Sequence, residues 1–416
     1  MDANRSGARR SPLRGCVPSS RLRAILTACA MLAALFHAER ARGDSAAENP
    51  ALYLYWENDT RTHTLTSRQS DRAYTNGARV ALMWPTEQGG GPYGTLSWLT
   101  RWAQCPSGLE FFSRGDARAV GFAFGQNMYT PADITEPALQ PNDRPYGGWT
   151  YLGALSSAGI LTSSGERQPN GLFVPVSLKR LARVEVDLGV VGPASGTAET
   201  QTWVHTKLCS DCARPTGWDH QLRNELVLQL HHDVSWRKIE GFLTRPRPGG
   251  SKDREATVRY FDFVHGGGSS LGNAFVNLRG SATARLGWNL SNDMGPSANI
   301  RSVVPYKVAP GWFEAYAFTR AEPRAVARNI FLNGNTFQDS HRVPHRGLVA
   351  DWELGGLVRL GPVRVMWRRI QRSPEFAQQD SPHIFGAWNL VADLPRRWLI
   401  PPSCGPCAEK AARDEF

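Results

Sequence analysis

Polar side chains able to hold a cation or steer a proton gather early in the chain. They stand at Glu57-Asn58-Asp59 and again at Asp71-Arg72-Ala73-Tyr74-Thr75-Asn76-Gly77. An Asp beside an amide offers hard oxygens to Ca²⁺, or a carboxylate that orients an imidazole. Taken alone, Asn58-Asp59-Thr60 is also ordinary turn chemistry, and Asn76-Gly77 is a hairpin dipeptide. The hydroxyl of Thr75 would reach a substrate carbonyl or a water. The imidazole to complete such a site is His205, on a segment where Gln201, Val204, His205 and Leu208 recur at helical spacing. Glu199 and Asp211 lie near it in sequence, and Asp187 and Glu225 flank the segment. A single His on an amphipathic helix is more often structural. Because Gly-x-Ser-x-Gly is absent from the chain, a catalytic His205 would deprotonate water rather than serine. A cation would then polarise an ester carbonyl and stabilise the oxyanion.

The elements that must position these groups are strands. Val276, Leu278, Ala282, Ala284, Leu286 and Trp288 fall on one face of 275–288, with Asn277, Arg279, Ser281, Thr283 and Arg285 on the other. Period-two alternation with a fully polar second face is what a lipid-embedded barrel requires, apolar outside and polar inside. The pattern recurs at 184–190, at 225–231, at Phe122 and Phe124, and at 363–372, where Arg364, Arg368 and Arg372 oppose Val363, Val365 and Trp367. Candidate strands fall near 51–59, 74–85, 118–128, 148–158, 181–191, 225–238, 255–264, 273–290, 311–320, 326–333, 346–360, 361–371 and 383–393. Bacterial single-chain barrels take even numbers. Twelve is therefore the expected count, with 326–333 the weakest strand. The fold expected is all-β: a twelve-stranded antiparallel transmembrane β-barrel with short helical insertions in its extracellular loops. The insertion at 197–224 is stopped by Pro215-Thr216-Gly217, and a second short helix is expected from Trp218.

Residues 1–43 read as a signal peptide: a basic lead, an apolar run at 24–38 too short to span a bilayer, and small residues near Gly43. That leader holds eight Arg against Asp2 and Glu39, which is +6 of the formal +11. The rest is only mildly basic, and no Lys/Arg stripe with interleaved aromatics appears, so no nucleic-acid partner is expected. Residues 44–395 are expected to form an outer-membrane barrel, with a loosely held tail at 396–416. Cys105, Cys209, Cys212, Cys404 and Cys407 follow the leader. The two Cys-x-x-Cys spacings resemble zinc half-sites, but in an oxidising compartment short-range disulfides or plain thiols are the better expectation.

Asp143-Arg144-Pro145-Tyr146-Gly147-Gly148-Trp149 reads as a rim loop, and Gly189-Val190-Val191-Gly192-Pro193 lacks the ending of a phosphate loop. Together with the two N-terminal clusters, Gln201, His205, Gly217-Trp218, Gln221-Leu222 and Leu271-Gly272-Asn273, these blocks run in order over about 51–392. The set resembles the lipid A deacylase family of the LpxR type. That resemblance implies a Ca²⁺-dependent outer-membrane esterase that removes the 3′-linked acyloxyacyl group of lipid A. It places Asn58 and Asp59 on the family's polar pair, Thr75 on its active-site hydroxyl, His205 on its general base and Asp211 on its acidic residue six positions later. Asp59 and Asp211 would then hold the metal, and Asp59 or another carboxylate would orient His205. No Lys stands in 126–145, where the family has one. The partners implied are lipid A or lipopolysaccharide and the membrane, with a monomer expected. The rival readings are a non-enzymatic pore or structural barrel, and a phospholipase-type barrel with a Ser nucleophile.

Overall fold

Twelve antiparallel strands close into one barrel. The structure, a computed structural model, describes residues 50–59, 73–86, 117–162, 166–167, 173–174, 176–209, 212–245, 256–296 and 312–394. In chain order the barrel strands are β1 Ala51–Asn58, β2 Ala73–Thr86, β3 Ala117–Thr130, β4 Gly147–Leu161, β5 Leu178–Val191 and β6 Glu225–Arg245. They continue as β7 Ala256–Gly272, β8 Phe275–Trp288, β9 Phe313–Asn329, β10 Leu348–Leu360, β11 Val363–Arg372 and β12 His383–Asp393. Each pairs with its chain neighbours, and β1 closes on β12 from Ala51↔Asp393 to Asn58↔Gly386. The amide of Leu394 donates to Pro50 O at 2.7 Å, so the sheet begins and ends at the same rim. The opposite, far rim carries the connections at 131–146, 330–347 and 373–382 and the described parts of 192–224.

The alternation does what the sequence requires of it. On β8, Leu278 and Leu286 are more than 60 % exposed, while Arg279, Thr283 and Arg285 are buried in the lumen. Leu152, Leu188, Leu226 and Leu228 extend the exposed apolar wall around the barrel. An apolar outside over a charged inside is stable only where hydrocarbon replaces water at the wall. Lumenal charges are paired, because a buried ion without a partner is costly. Arg79 meets Glu185 at 2.8 Å, Arg368 meets Glu353 at 3.0 Å, and Arg237 meets Asp262 at 3.0 Å. The expected row on β11 points inward as well, with Arg364 on Asp393 at 2.8 Å and Arg372 on Asp351 at 2.9 Å. Near the rim of the termini, Asn292 folds inward and accepts from Leu178 N at 2.7 Å and Arg237 Nη1 at 2.9 Å. Toward the far rim a cavity of about 90 Å³ remains, walled in part by Tyr129, Trp149, Tyr151 and Phe275.

One strand expectation is corrected. Residues 326–333 are not a separate strand: β9 runs unbroken from Phe313 to Asn329 and then gives way to the helical turn α2, Ile330–Asn333. Asn329 caps this turn by accepting from Phe331 N at 3.0 Å, and Ile330, Phe331 and Leu332 are buried beneath the rim. A short apolar run reads alike as strand or as buried helix, so periodicity alone does not separate them. Among the described residues no helix is long and apolar enough to cross a membrane. The expected signal peptide at 1–43, the tail at 396–416, and Cys105, Cys404 and Cys407 lie outside the described residues.

Candidate functional site on the outer wall

After β5 the chain turns back on the barrel instead of arching over it. Gly192 has φ 98°, and a Cβ there would come within 2.6 Å of Arg223, so the turn requires glycine. A 3-10 turn at Pro193–Ser195 leads into α1, Thr197–Trp203, which runs directly into a π-helical turn, Val204–Leu208. Ser195 O accepts from Gln126 Nε2 at 3.0 Å and from Thr150 Oγ1 at 2.6 Å. Those two side chains continue the outward faces marked by Phe124 on β3 and Leu152 on β4. Thr197 rests on Gly148, where an added Cβ would lie 1.5 Å from Thr197 Oγ1. Ala198 packs on Met128, Ile134, Tyr146 and Trp218, and Trp218 Nε1 donates to Gln201 Oε1 at 2.8 Å. The expected second short helix is the 3-10 turn Trp218–His220. The segment bearing His205 is thus seated against the outside of the barrel at the far rim.

The same outward row holds Asn58. Residues directly opposed on antiparallel strands share a face, and the register runs Asn58↔Asn76, Asn76↔Met128, Met128↔Gly148. Asn58 follows exposed Trp56 on the outward face of β1 and is itself buried. Thr75 lies in β2 at a bulge between Tyr74 and Asn76, beside this row. Asp59 is buried, and its Oδ2 lies 3.9 Å from Nε2 of His383, at the start of β12.

His205 is buried, and its Nδ1 lies 2.5 Å from the carbonyl oxygen of Ala213. A carbonyl oxygen only accepts, so Nδ1 carries a hydrogen, and in the neutral ring Nε2 is the nitrogen with the lone pair. That is the tautomer of a general base. The group at Nδ1 is therefore a main-chain carbonyl and not the carboxylate expected from the sequence, while the imidazole that Asp59 meets is His383. Between His205 and Ala213 the chain is closed by a Cys209–Cys212 disulfide, with Cα atoms 5.4 Å apart, so this pair is not a zinc half-site. Asp211, inside that ring, lies outside the described residues, as do Asp71 and Arg72. The carboxylates flanking the segment are engaged elsewhere. Asp187 meets His231 at 3.3 Å in the lumen, and Glu225 accepts from Thr336 N at 2.7 Å and Asn273 Nδ2 at 2.8 Å. His383 and the Ala213 carbonyl carry no sequence signal: the first is remote in the chain from Asp59, and the second is main chain.

Asp143–Tyr146 form the rim loop expected of the motif, and Gly147–Trp149 open β4. Arg144 is fully buried and donates to Glu375 Oε2 at 2.8 Å, and Asp143 Oδ2 accepts from Ala132 N at 2.8 Å. Burial alone would raise the Glu375 carboxyl, but the Arg144 and Arg372 guanidiniums outweigh it and hold the group below its ordinary value. Among the described residues no group of three or more His, Cys, Asp or Glu gathers to hold a metal ion. The Asn58 amide and Asp59 carboxylate do suit Ca²⁺ in kind, both being hard oxygen donors.

An apolar wall, a salt-bridged lumen and a helix clamped to the outside at one rim define an outer-membrane β-barrel with its candidate site facing the bilayer rather than the lumen. The profile of the family described as "Outer membrane protein LpxR" matches residues 25–394, and the chain belongs to that family. Among solved structures it is similar to LpxR from Salmonella typhimurium at 17% identity, over 83% of this chain and 100% of that one, with a TM-score of 0.57. That likeness shows the shared fold. A looser likeness, TM-score 0.37 at 9% identity over 84% of this chain and 100% of the other, is to the β domain of the Bordetella autotransporter Brka. No curated protein matches.

Proposed function

We propose that this protein is an outer-membrane esterase that hydrolyses the 3′-linked acyloxyacyl ester of lipid A at the outer wall of its barrel. Family membership supports the substrate class. The observation that carries the reading is the His205 ring, fixed by Ala213 O in the general-base tautomer, on a helix seated over the row that contains Asn58. Nε2 of His205 takes a proton from water as the water oxygen adds to the ester carbonyl. The carbon–oxygen bond to the sugar then breaks, and the same proton passes to the leaving alkoxide. The products are the free acyloxyacyl fatty acid, its secondary ester intact, and a glycolipid hydroxyl. The Asn58 amide and the Thr75 hydroxyl are assigned to the developing oxyanion. Asp59 and Asp211 would hold Ca²⁺, which when bound supplies positive charge beside that oxygen.

The pore alternative is disfavoured by the lumen, where buried arginines and carboxylates pair across the interior. The phospholipase alternative needs a Ser shortly after the catalytic His, and His205-Thr206-Lys207-Leu208 provides none. The test is expression in a Gram-negative host followed by mass spectrometry of its lipid A. Loss of the mass of the acyloxyacyl group is expected. An unchanged spectrum from cells with folded barrel in the outer membrane would favour the non-enzymatic alternative.

A further inference from the structure

β11 carries four arginines below its far end, and three of them face the lumen. Arg364, Arg368 and Arg372 are each paired there with carboxylates. Arg369 falls on the outward face, in series with Val363, Val365 and Trp367. It is half-buried, and among the described residues its side chain makes no hydrogen bond or ion pair. Its outward neighbours are Leu354 on β10 and Gly386 on β12, neither of which has a side chain that accepts a hydrogen bond from a guanidinium.

The register places this charge next to the candidate site. Arg369 pairs with Gly386, Gly386 with Asn58, and Asn58 with Asn76. Two strand spacings separate Arg369 from Asn58, roughly 10 Å between main chains. The residue between them is a glycine, so no side chain divides the two. Two residues nearer the termini on the same strands runs a second outward row, Trp367↔Trp388↔Trp56. Trp56 and Trp388 are 49% and 41% exposed. Outward aromatic rows mark the level where hydrocarbon gives way to lipid headgroups. Arg369 and Asn58 therefore stand on the headgroup side of that girdle, at the far rim.

We infer that Arg369 binds a phosphate of a lipid in the outer leaflet and so anchors that lipid beside Asn58. An arginine facing lipid is costly in proportion to its depth, and at headgroup level the cost vanishes where an anionic oxygen meets it. Phosphate is the anion that lipid headgroups present there, and its oxygens match the guanidinium fork. Among the described residues of this outward patch, Asn58, Asn76 and Gln371 are neutral and Arg369 supplies the cation. The inference rests on the proposed function only in taking the anchored lipid to be the one deacylated.

Binding is measured with the full chain in detergent micelles by native mass spectrometry, comparing a phosphorylated glycolipid with the same glycolipid stripped of phosphate. The wild type is expected to hold the phosphorylated form about tenfold more tightly, the scale of one charge-assisted contact. Arg369→Gln is expected to erase that preference, Arg369→Lys to keep part of it, and Gln371→Ala to keep all of it. Millimolar inorganic phosphate should leave the lipid in place. A preference that survives Arg369→Gln overturns the inference, and so does full displacement by inorganic phosphate, which would mean an ion site. Because binding is read without turnover, an Arg369-dependent preference in a protein that releases no fatty acid upholds this inference and removes only the esterase reading.

Discussion

His205 Nδ1 and the carbonyl oxygen of Ala213 lie 2.5 Å apart, and the segment between them contains the Cys209–Cys212 disulfide. The ring is thus held from one side by main chain, which leaves Nε2 as the nitrogen able to accept a proton. Many catalytic imidazoles are fixed by a carboxylate instead, which also stabilises the charged ring. A carbonyl fixes orientation with less charge stabilisation, so the strength of this base depends on how rigidly Ala213 is held.

Opening the disulfide should weaken catalysis more than stability. A ring of so few residues constrains the unfolded chain little, whereas Ala213 lies immediately beyond Cys212. The double substitution Cys209→Ser with Cys212→Ser is expected to lower the rate of fatty-acid release about three- to tenfold, the scale of a misoriented base. Heat unfolding of the barrel should be nearly unchanged. A rate equal to wild type would show that the disulfide does not position the ring.

Gly148 should be as sensitive as a catalytic residue although it does no chemistry. A methyl group there would lie 1.5 Å from Thr197 Oγ1, so α1 has to lift off the wall. Gly148→Ala is expected to reduce activity at least tenfold, since displacements of about 1 Å in a site cost that much or more. Adding Thr197→Gly should restore part of it. The comparison is made on purified barrels of equal thermal stability, and full activity in Gly148→Ala would mean that the helix does not need its seat.

The rim pair Arg144–Glu375 should give the barrel an acid limb. Glu375 is held below its ordinary value near 4.5, so its stabilising contribution is present above that value. The contribution is lost as the pH falls through the lowered folded-state value. Arg144→Met removes the foremost of the cations responsible, and is expected to destabilise the barrel by up to about 3 kcal/mol at neutral pH. It should also flatten the loss of stability in acid. Urea unfolding in detergent at several pH values checks both, and equal slopes for the two proteins would contradict the assignment.

Calcium removal tests the oxyanion scheme separately from the base. With EGTA in place of Ca²⁺, fatty-acid release is expected to fall by about 10²-fold or more, the lower range for one electrostatic contact to an oxyanion. Re-addition of Ca²⁺ should restore it. Undiminished release without divalent ions would remove the metal from the scheme.

Much of the scaffold was legible in the chain because a lipid-facing wall imposes strict alternation. Leu278 with Arg279, or Val365 with Arg364, can be assigned a side without knowing the register. What alternation cannot give is a helix turn hidden in an apolar run, which is why Ile330–Asn333 reads as strand. The outward seat of His205 was equally illegible. It depends on Gln126, Thr150 and Gly148 lying side by side on β3 and β4, and that follows from register, which spacing within one strand does not fix. The pairing of Asp59 with His383 arises only when β1 closes on β12. The order of the motif blocks carried the family, yet the residue types in them could not say which imidazole stands by which carboxylate.

The most direct measurement compares purified wild-type protein with His205→Ala in vesicles containing lipid A and Ca²⁺, following released fatty acid by mass spectrometry. General-base catalysis of this kind contributes about 10²–10⁴-fold. The rate should fall by that factor while the heat-modifiable barrel band on gels stays intact. A variant that releases fatty acid at the wild-type rate would contradict the account at its centre.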